Sequence, residues 1–181
     1  MGRLIFKLGF PNFEVKTAFS EYLIQGYAEI VDEKIRYEKN TYNALINADF
    51  PALEKTITRL FASIPYRNFT NNDLLEFEGY YASVLFAFFS AINCDITPED
   101  ITNHGQADMT VKLGYNIFVM EIKHIRIGES FDETENEALE QIKLRNYAEK
   151  YLGIDGTKVF ELGLVFSQKK RNLVKFDWAE R

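Results

Sequence analysis

The chain has 181 residues, 46% of them hydrophobic and 15% aromatic, so it can bury a core of ordinary size, and its length fits one domain with a helical extension. A formal net charge of −6 excludes a protein that coats nucleic acid indiscriminately, because such binding rests on many Lys and Arg contacts to phosphate. It does not exclude a nuclease, whose metal site gathers carboxylates of its own.

No run approaches the roughly 18 apolar residues of a membrane span, and no signal-peptide pattern opens the chain, which implies a cytoplasmic protein with no membrane partner. The single cysteine, Cys94, lies in an apolar run and reads as core packing. In chain order, Leu4–Phe10 is expected as a short strand, and Asn12 as the cap of a helix carrying Thr17, Ala18, Tyr22, Leu23 and Tyr27. Helical spacing recurs around Tyr42–Ala48 and from Pro51 to Ser63, where Leu53, Ile57, Leu60 and Phe61 share a face and Asp49 stands near the start. Residues 1–65 therefore read as a helical extension, and a start this abrupt suggests a piece of something longer.

From Asn72 a helix is expected through Leu75, Tyr81, Val84, Leu85, Phe88, Phe89 and Ile92, apolar on nearly every face and so buried. Strand-like runs follow at Ala107–Leu113, Asn116–Ile125 and Val159–Ser167. Between the last two, a helix rich in Glu, Lys, Leu and Ala is expected from about Glu133 to Leu152, with Gly153 as a left-handed stop. A hairpin followed by strand, helix and strand makes an α/β domain over residues 66–181, a central mixed sheet flanked by helices.

Leu113-Gly114-Tyr115-Asn116 suits a two-residue type II′ hairpin turn, with glycine at the first central position. Leu113 then pairs with Asn116, and counting outward sets Val111 beside Phe118, Met109 beside Met120, and Asp108 beside Glu121. Two carboxylates directly opposed across strands repel unless a cation lies between them. Side chains alternate along a strand, so Lys123 falls on the same face as Glu121. Two hard oxygen ligands beside an ammonium suit Mg²⁺ or Mn²⁺ and a phosphate group better than zinc. On spacing alone, a Glu-x-Lys pair reads equally as a solvated face. The apolar run Ile117-Phe118-Val119-Met120 favours a central strand, where charged side chains need a reason to be present.

Asp followed after a hairpin by Glu-x-Lys resembles the PD-(D/E)XK nuclease superfamily. Gly105-Gln106-Ala107-Asp108-Met109 is similar to the Gly-Arg-x-Asp motif of the branch found at the C-terminus of bacterial AAA-ATPase-like proteins, and Val119-Met120-Glu121-Ile122-Lys123 to its second metal strand. Ala138-Leu139-Glu140-Gln141-Ile142 with Tyr147–Tyr151 resembles its helix signature, Glu78-Gly79-Tyr80-Tyr81 the opening of its first core helix, and Gly163, Phe166 and Arg171 its last strand. The segment Leu8–Val15 resembles its junction with the ATPase part, so nearly the whole chain is covered.

The resemblance implies a restriction-endonuclease-like core. It also implies that Asp108, Glu121 and Ile122 hold the metal, that Lys123 orients or activates the attacking water, and that Gln141 and Glu78 support the site. Two positions depart from the pattern: Gln106 replaces the usual Arg, and His124 follows the lysine where an apolar residue is common. Taken by themselves, Glu78 also fits a carboxylate favoured at a helix start, Gln141 a solvent-facing stripe, and His104 and His124 surface histidines. No phosphate-binding loop occurs, so an ATPase-like partner domain would have to lie N-terminal to this chain. The reading is a Mg²⁺- or Mn²⁺-dependent nuclease acting on DNA. Its rivals are a module of the same fold that binds nucleic acid without cutting it, and an interaction domain serving the ATPase.

Overall fold

A computed structural model describes residues 10–12, 14–15, 17–19, 22, 34–69, 78–130 and 135–181. The strand expected at Leu4–Phe10, apart from Phe10, much of the first expected helix, and the expected helix start from Asn72 through Leu75 lie outside them. Asn12 does cap a helical segment, its Oδ1 accepting from the Val15 N–H at 2.9 Å.

Among the described residues, α1 (Lys34–Asn47), α2 (Phe50–Ala62) and α3 (Glu78–Ala91) precede a five-stranded sheet. Asp49 caps α2 by accepting from the Ala52 N–H at 3.1 Å, and Pro51 sits in its first turn, where a missing N–H costs nothing. The strands are β1 (Asp95–Thr102), β2 (Gly105–Leu113), β3 (Asn116–Ile125), β4 (Lys158–Ser167) and β5 (Asn172–Glu180), paired in chain order. Among the described strands only β3 and β4 run parallel, joined by helix α4 (Glu137–Arg145) and a 3-10 turn (Tyr147–Tyr151). The result is the expected α/β architecture, a mixed sheet flanked by helices.

One face of the sheet, with Met109, Val111, Phe118, Met120, Leu162, Leu164 and Phe166, packs under α1, α2 and α3 in one continuous core. Phe50 of α2 meets the rings of Phe118, Phe160 and Trp178, and α2 buries Leu53, Ile57, Leu60 and Phe61 besides. At about 1.5–3 kcal/mol for each such side chain, burial rather than helical propensity holds α2 in place. The other face, with Ile117, Val119 and Val159, packs under Ile142 of α4 and Tyr147, Ala148 and Tyr151 of the turn. Cys94 is buried, as its sequence context implies.

Several boundaries differ from expectation. The helix expected over Glu133–Leu152 begins at Glu137, because Asn136 is its cap, and ends at Asn146, which adopts a left-handed conformation at φ 49°. Gly153 is left-handed at φ +80°, but beyond the 3-10 turn. The strands β1 and β5 were not expected. Strand β1 is a polar edge strand with Pro98 in it and Asp100 as its single buried side chain. In β5 a bulge opposite Val165 and Phe166 spaces the buried Leu173 and Phe176 three apart, which breaks the alternation a strand ordinarily shows. Arg171, expected within the last strand, lies in the β4–β5 turn at φ 54°.

Candidate active site

Gly114 takes φ +61° while Tyr115 keeps a negative φ, the pairing a type II′ turn demands. The register follows as counted, Leu113 with Asn116 through to Met109 with Met120. There the β2–β3 ladder stops. Asp108 and Glu121 lie one step beyond the last pair, and Asp108 is also unpaired with β1, where Pro98–Met109 and Asp100–Ala107 flank it. Strand β3 meanwhile continues beside β4 to Ile125. The carboxylates are thus not a cross-strand pair as expected; they stand in the fork where β2 parts from β3.

In that fork Asp108 Oδ2 accepts from the Ile122 N–H at 2.7 Å, which sets the carboxylate against the residue following Glu121. Glu121 is 2% exposed. Its Oε1 accepts from Lys123 Nζ at 3.2 Å and from Gln141 Nε2 of α4, while Oε2 is buried with no hydrogen-bond partner. Lys123 also faces Glu78 Oε2 at 3.9 Å, and Glu78 Oε1 lies 3.7 Å from His124 Nδ1. Glu78, Asp108, Glu121, Lys123 and Gln141 are therefore brought together from two helices and two strands. Ile122 joins them through its backbone. Gln141 does not sit on a solvent stripe, and the His124 side chain is only 7% exposed, packed against the Tyr81 ring. His104 remains at the surface, 3.2 Å from Glu149.

Burial and the neighbouring Asp108 push the Glu121 carboxyl up to about 7, against the pull of Lys123. Burial also raises Asp108, with the Ile122 N–H and Lys123 opposing. For Lys123 burial works downward, but Glu121, Glu78 and Asp108 outweigh it and hold the ammonium above its ordinary value. The cluster is short of positive charge, and it borders a cavity of about 520 Å³ lined by Glu78, Lys123, His124, Ile125, Glu129 and Val165 among others.

Two close approaches locate these groups. Gly105 takes φ +143° and has the Tyr147 ring 3.2 Å from where a Cβ would stand, so a side chain there would collide with the 3-10 turn. Gly163 lies beside Glu121 on β4, and a Cβ built on it would fall 2.4 Å from the Leu139 nitrogen and 2.6 Å from Asn136 Oδ1. Asn136 is a positioning residue that sequence reasoning missed. It caps α4 by accepting from the Leu139 N–H at 3.0 Å, and its Nδ2 donates to the Gly163 carbonyl at 3.0 Å and to Asp177 Oδ2 at 2.9 Å. An Asn directly before a Glu-rich helical run was the signal available. Gly163→Ala should force the start of α4 off the sheet and cost about 1–3 kcal/mol, read from urea unfolding. An unchanged unfolding midpoint would refute the tight seat.

A family model described as the PD-(D/E)XK nuclease superfamily matches residues 76–176, which include the fork, Glu78 and Gln141. The chain belongs to the PD-(D/E)XK nuclease superfamily. An uncharacterized protein from the vnfD 5′ region of Azotobacter chroococcum mcd 1 is 36% identical over 171 residues, 94% of this chain. The chain spans 32% of that relative's length. The match confirms the superfamily and the restriction-endonuclease-like fold expected from the motifs. Among the described residues, no helix is long and apolar enough to cross a membrane.

Among the described residues, no group of three or more His, Cys, Asp or Glu side chains is gathered to hold an ion. A hard divalent cation fits the fork nonetheless. Two carboxylates meet there, one with a buried oxygen that nothing satisfies, and such cations take backbone carbonyls and waters for their remaining ligands.

Proposed function

We propose that this chain is a metal-dependent nuclease that hydrolyses phosphodiester bonds of DNA. The observation that carries this reading is the Glu121 carboxylate: it is buried, has one unsatisfied oxygen, and is flanked by Asp108 and a charged lysine. Glu161 on β4 is buried as deeply with neither oxygen hydrogen-bonded, so what points to a cation is the company of Asp108 and Lys123 and not burial alone. In this reading Asp108, Glu121 and the Ile122 carbonyl hold Mg²⁺ or Mn²⁺, which when bound supplies Lewis-acid polarisation of the phosphate and a more acidic water. Lys123, anchored by Glu121 and Glu78, presents its ammonium to the attacked phosphate and stabilises the charge that develops there. Gln141 orients Glu121 through its amide, and Glu78 holds Lys123 and faces His124.

The nuclease part comprises residues 66–181, with 1–65 as the helical extension. The protein works in the cytoplasm, and an ATPase-like domain N-terminal to this chain is its partner, as in the branch its motifs resemble. Cleavage of plasmid and single-stranded DNA should require Mg²⁺ or Mn²⁺ and stop with EDTA. The same ions, binding the folded state preferentially, should raise Tm as their concentration passes Kd, and Asp108→Asn should weaken that response. No cleavage with either ion, together with a Tm indifferent to both ions and to EDTA, would overturn the reading.

A further inference from the structure

Resting on the nuclease reading, we infer that the end of the sheet beside the fork carries a platform for a single-stranded segment of the substrate, with Tyr66 as its stacking ring. Lys123 pairs with Val165 across the β3–β4 ladder and Ile125 with Ser167, after which β4 turns through Lys169, Lys170 and Arg171. That turn is bonded to the outgoing end of β3: the Gln168 N–H donates to the Ile125 carbonyl at 3.0 Å, and the Ile127 N–H to Gln168 Oε1 at 3.0 Å. Lys169 is four residues beyond the partner of Lys123, so its Cα lies within about 14 Å of that of Val165.

The Arg171 guanidinium lies 4.9 Å from the Tyr66 ring centroid and 5.5 Å from that of Phe69, and Phe69 in turn meets Tyr80, two residues past Glu78. Arg171 thus covers one side of the Tyr66 ring and joins it to Phe69, which rests on the site's own helix, and Tyr66 is 69% exposed. Arg67 follows Tyr66 in the chain, Lys169 and Lys170 precede Arg171, and Arg126 lies between Ile125 and Ile127, which bond Gln168; all four are exposed. In a chain of net charge −6, these four and Arg171 gather five cations on the segments that carry and adjoin one exposed aromatic ring. The carboxylates Glu78, Glu129, Glu135 and Glu137 line the cavity on the fork side, and Glu129 accepts from the Arg126 backbone N–H. A fixed ring with cations about it is the chemistry that recognises unpaired bases and their phosphates, since any base can stack and duplex bases present no free face.

The test is fluorescence anisotropy of the full chain in EDTA, with a labelled single-stranded oligonucleotide and a blunt duplex of the same sequence. Cleavage of both in Mg²⁺ is measured alongside. Wild type should bind the single strand more tightly. Tyr66→Leu should weaken that binding about tenfold, Tyr66→Phe should retain it, and neither should change duplex binding. Lys169→Gln with Lys170→Gln should lower the single-strand salt slope by about 1.4. Equal binding of the two DNAs, binding of neither, or equal losses on both with Tyr66→Leu would overturn the platform. If cleavage is absent while the Tyr66-dependent preference is present, the nuclease reading fails and the platform stands. If Lys123-dependent cleavage occurs without that preference, the platform fails and the nuclease reading stands.

Discussion

Lys123→Ala is expected to lower the rate of DNA cleavage by about 10²–10³-fold while leaving substrate affinity nearly unchanged. The reason is that charge on the phosphate grows in the transition state, so an ammonium placed beside it contributes most there and little in the ground state. The ammonium is well placed for this. It is partly buried, 3.2 Å from Glu121 and 3.9 Å from Glu78, and its surroundings keep it charged throughout the neutral range. Single-turnover cleavage and equilibrium binding on the same DNA separate the two quantities. A variant that loses affinity and cleavage in equal measure would make Lys123 one phosphate contact among several, and would favour the binding-module alternative.

Glu121→Gln should stabilise the metal-free protein above pH 7 and reduce its pH dependence in the mildly acidic range. The folded-state carboxyl titrates at about 7 against an ordinary value of 4.5, so the folded protein holds this proton more tightly than the unfolded chain does. Below about pH 4.5 both states are protonated and the group costs nothing. As pH rises from 4.5 to 7 the penalty accumulates to about 3 kcal/mol, and it is fully present above 7. Asp108, raised in the same sense, adds to the trend. Urea unfolding in EDTA at intervals from pH 4.5 to 8 measures it, and adding Mg²⁺ should restore stability at the upper end by favouring the charged carboxylates. If Glu121→Gln is no more stable than wild type at pH 8 in EDTA, the claim of an uncompensated buried carboxylate is wrong.

The parts of the fold that were legible in the sequence are those specified by neighbours in the chain. Gly114 set the hairpin and, with it, the register of every pair back to Met109 and Met120. Asp49 and Pro51 marked the start of α2, and the apolar run of β3 gave that strand's limits to the residue. What escaped were elements whose local signal is weak or contrary. A Pro-containing polar edge and a bulged final strand both lack the clean alternation by which strands are read. The superfamily was legible because its motif residues sit on those same well-specified strands, so spacing along the chain translated directly into position.

The candidate site divides in the same way. The sequence by itself determined that Asp108, Glu121 and Lys123 lie at neighbouring places on a hairpin, since turn chemistry and the two-residue period of a strand leave no other register. Only the tertiary structure decided that the ladder opens at Asp108, because β3 is claimed by β4 on its far side while β2 follows β1. The motif resemblance named Gln141 and Glu78, and the tertiary structure supplied their contacts, the first to Glu121 on a helix start seated by Gly163 and Asn136, the second to Lys123 at 3.9 Å. It likewise turned His124 inward against Tyr81. Such meetings depend on loop closure and on how tightly helix and sheet can approach, quantities fixed by packing across the whole core and not by any stretch of neighbouring residues.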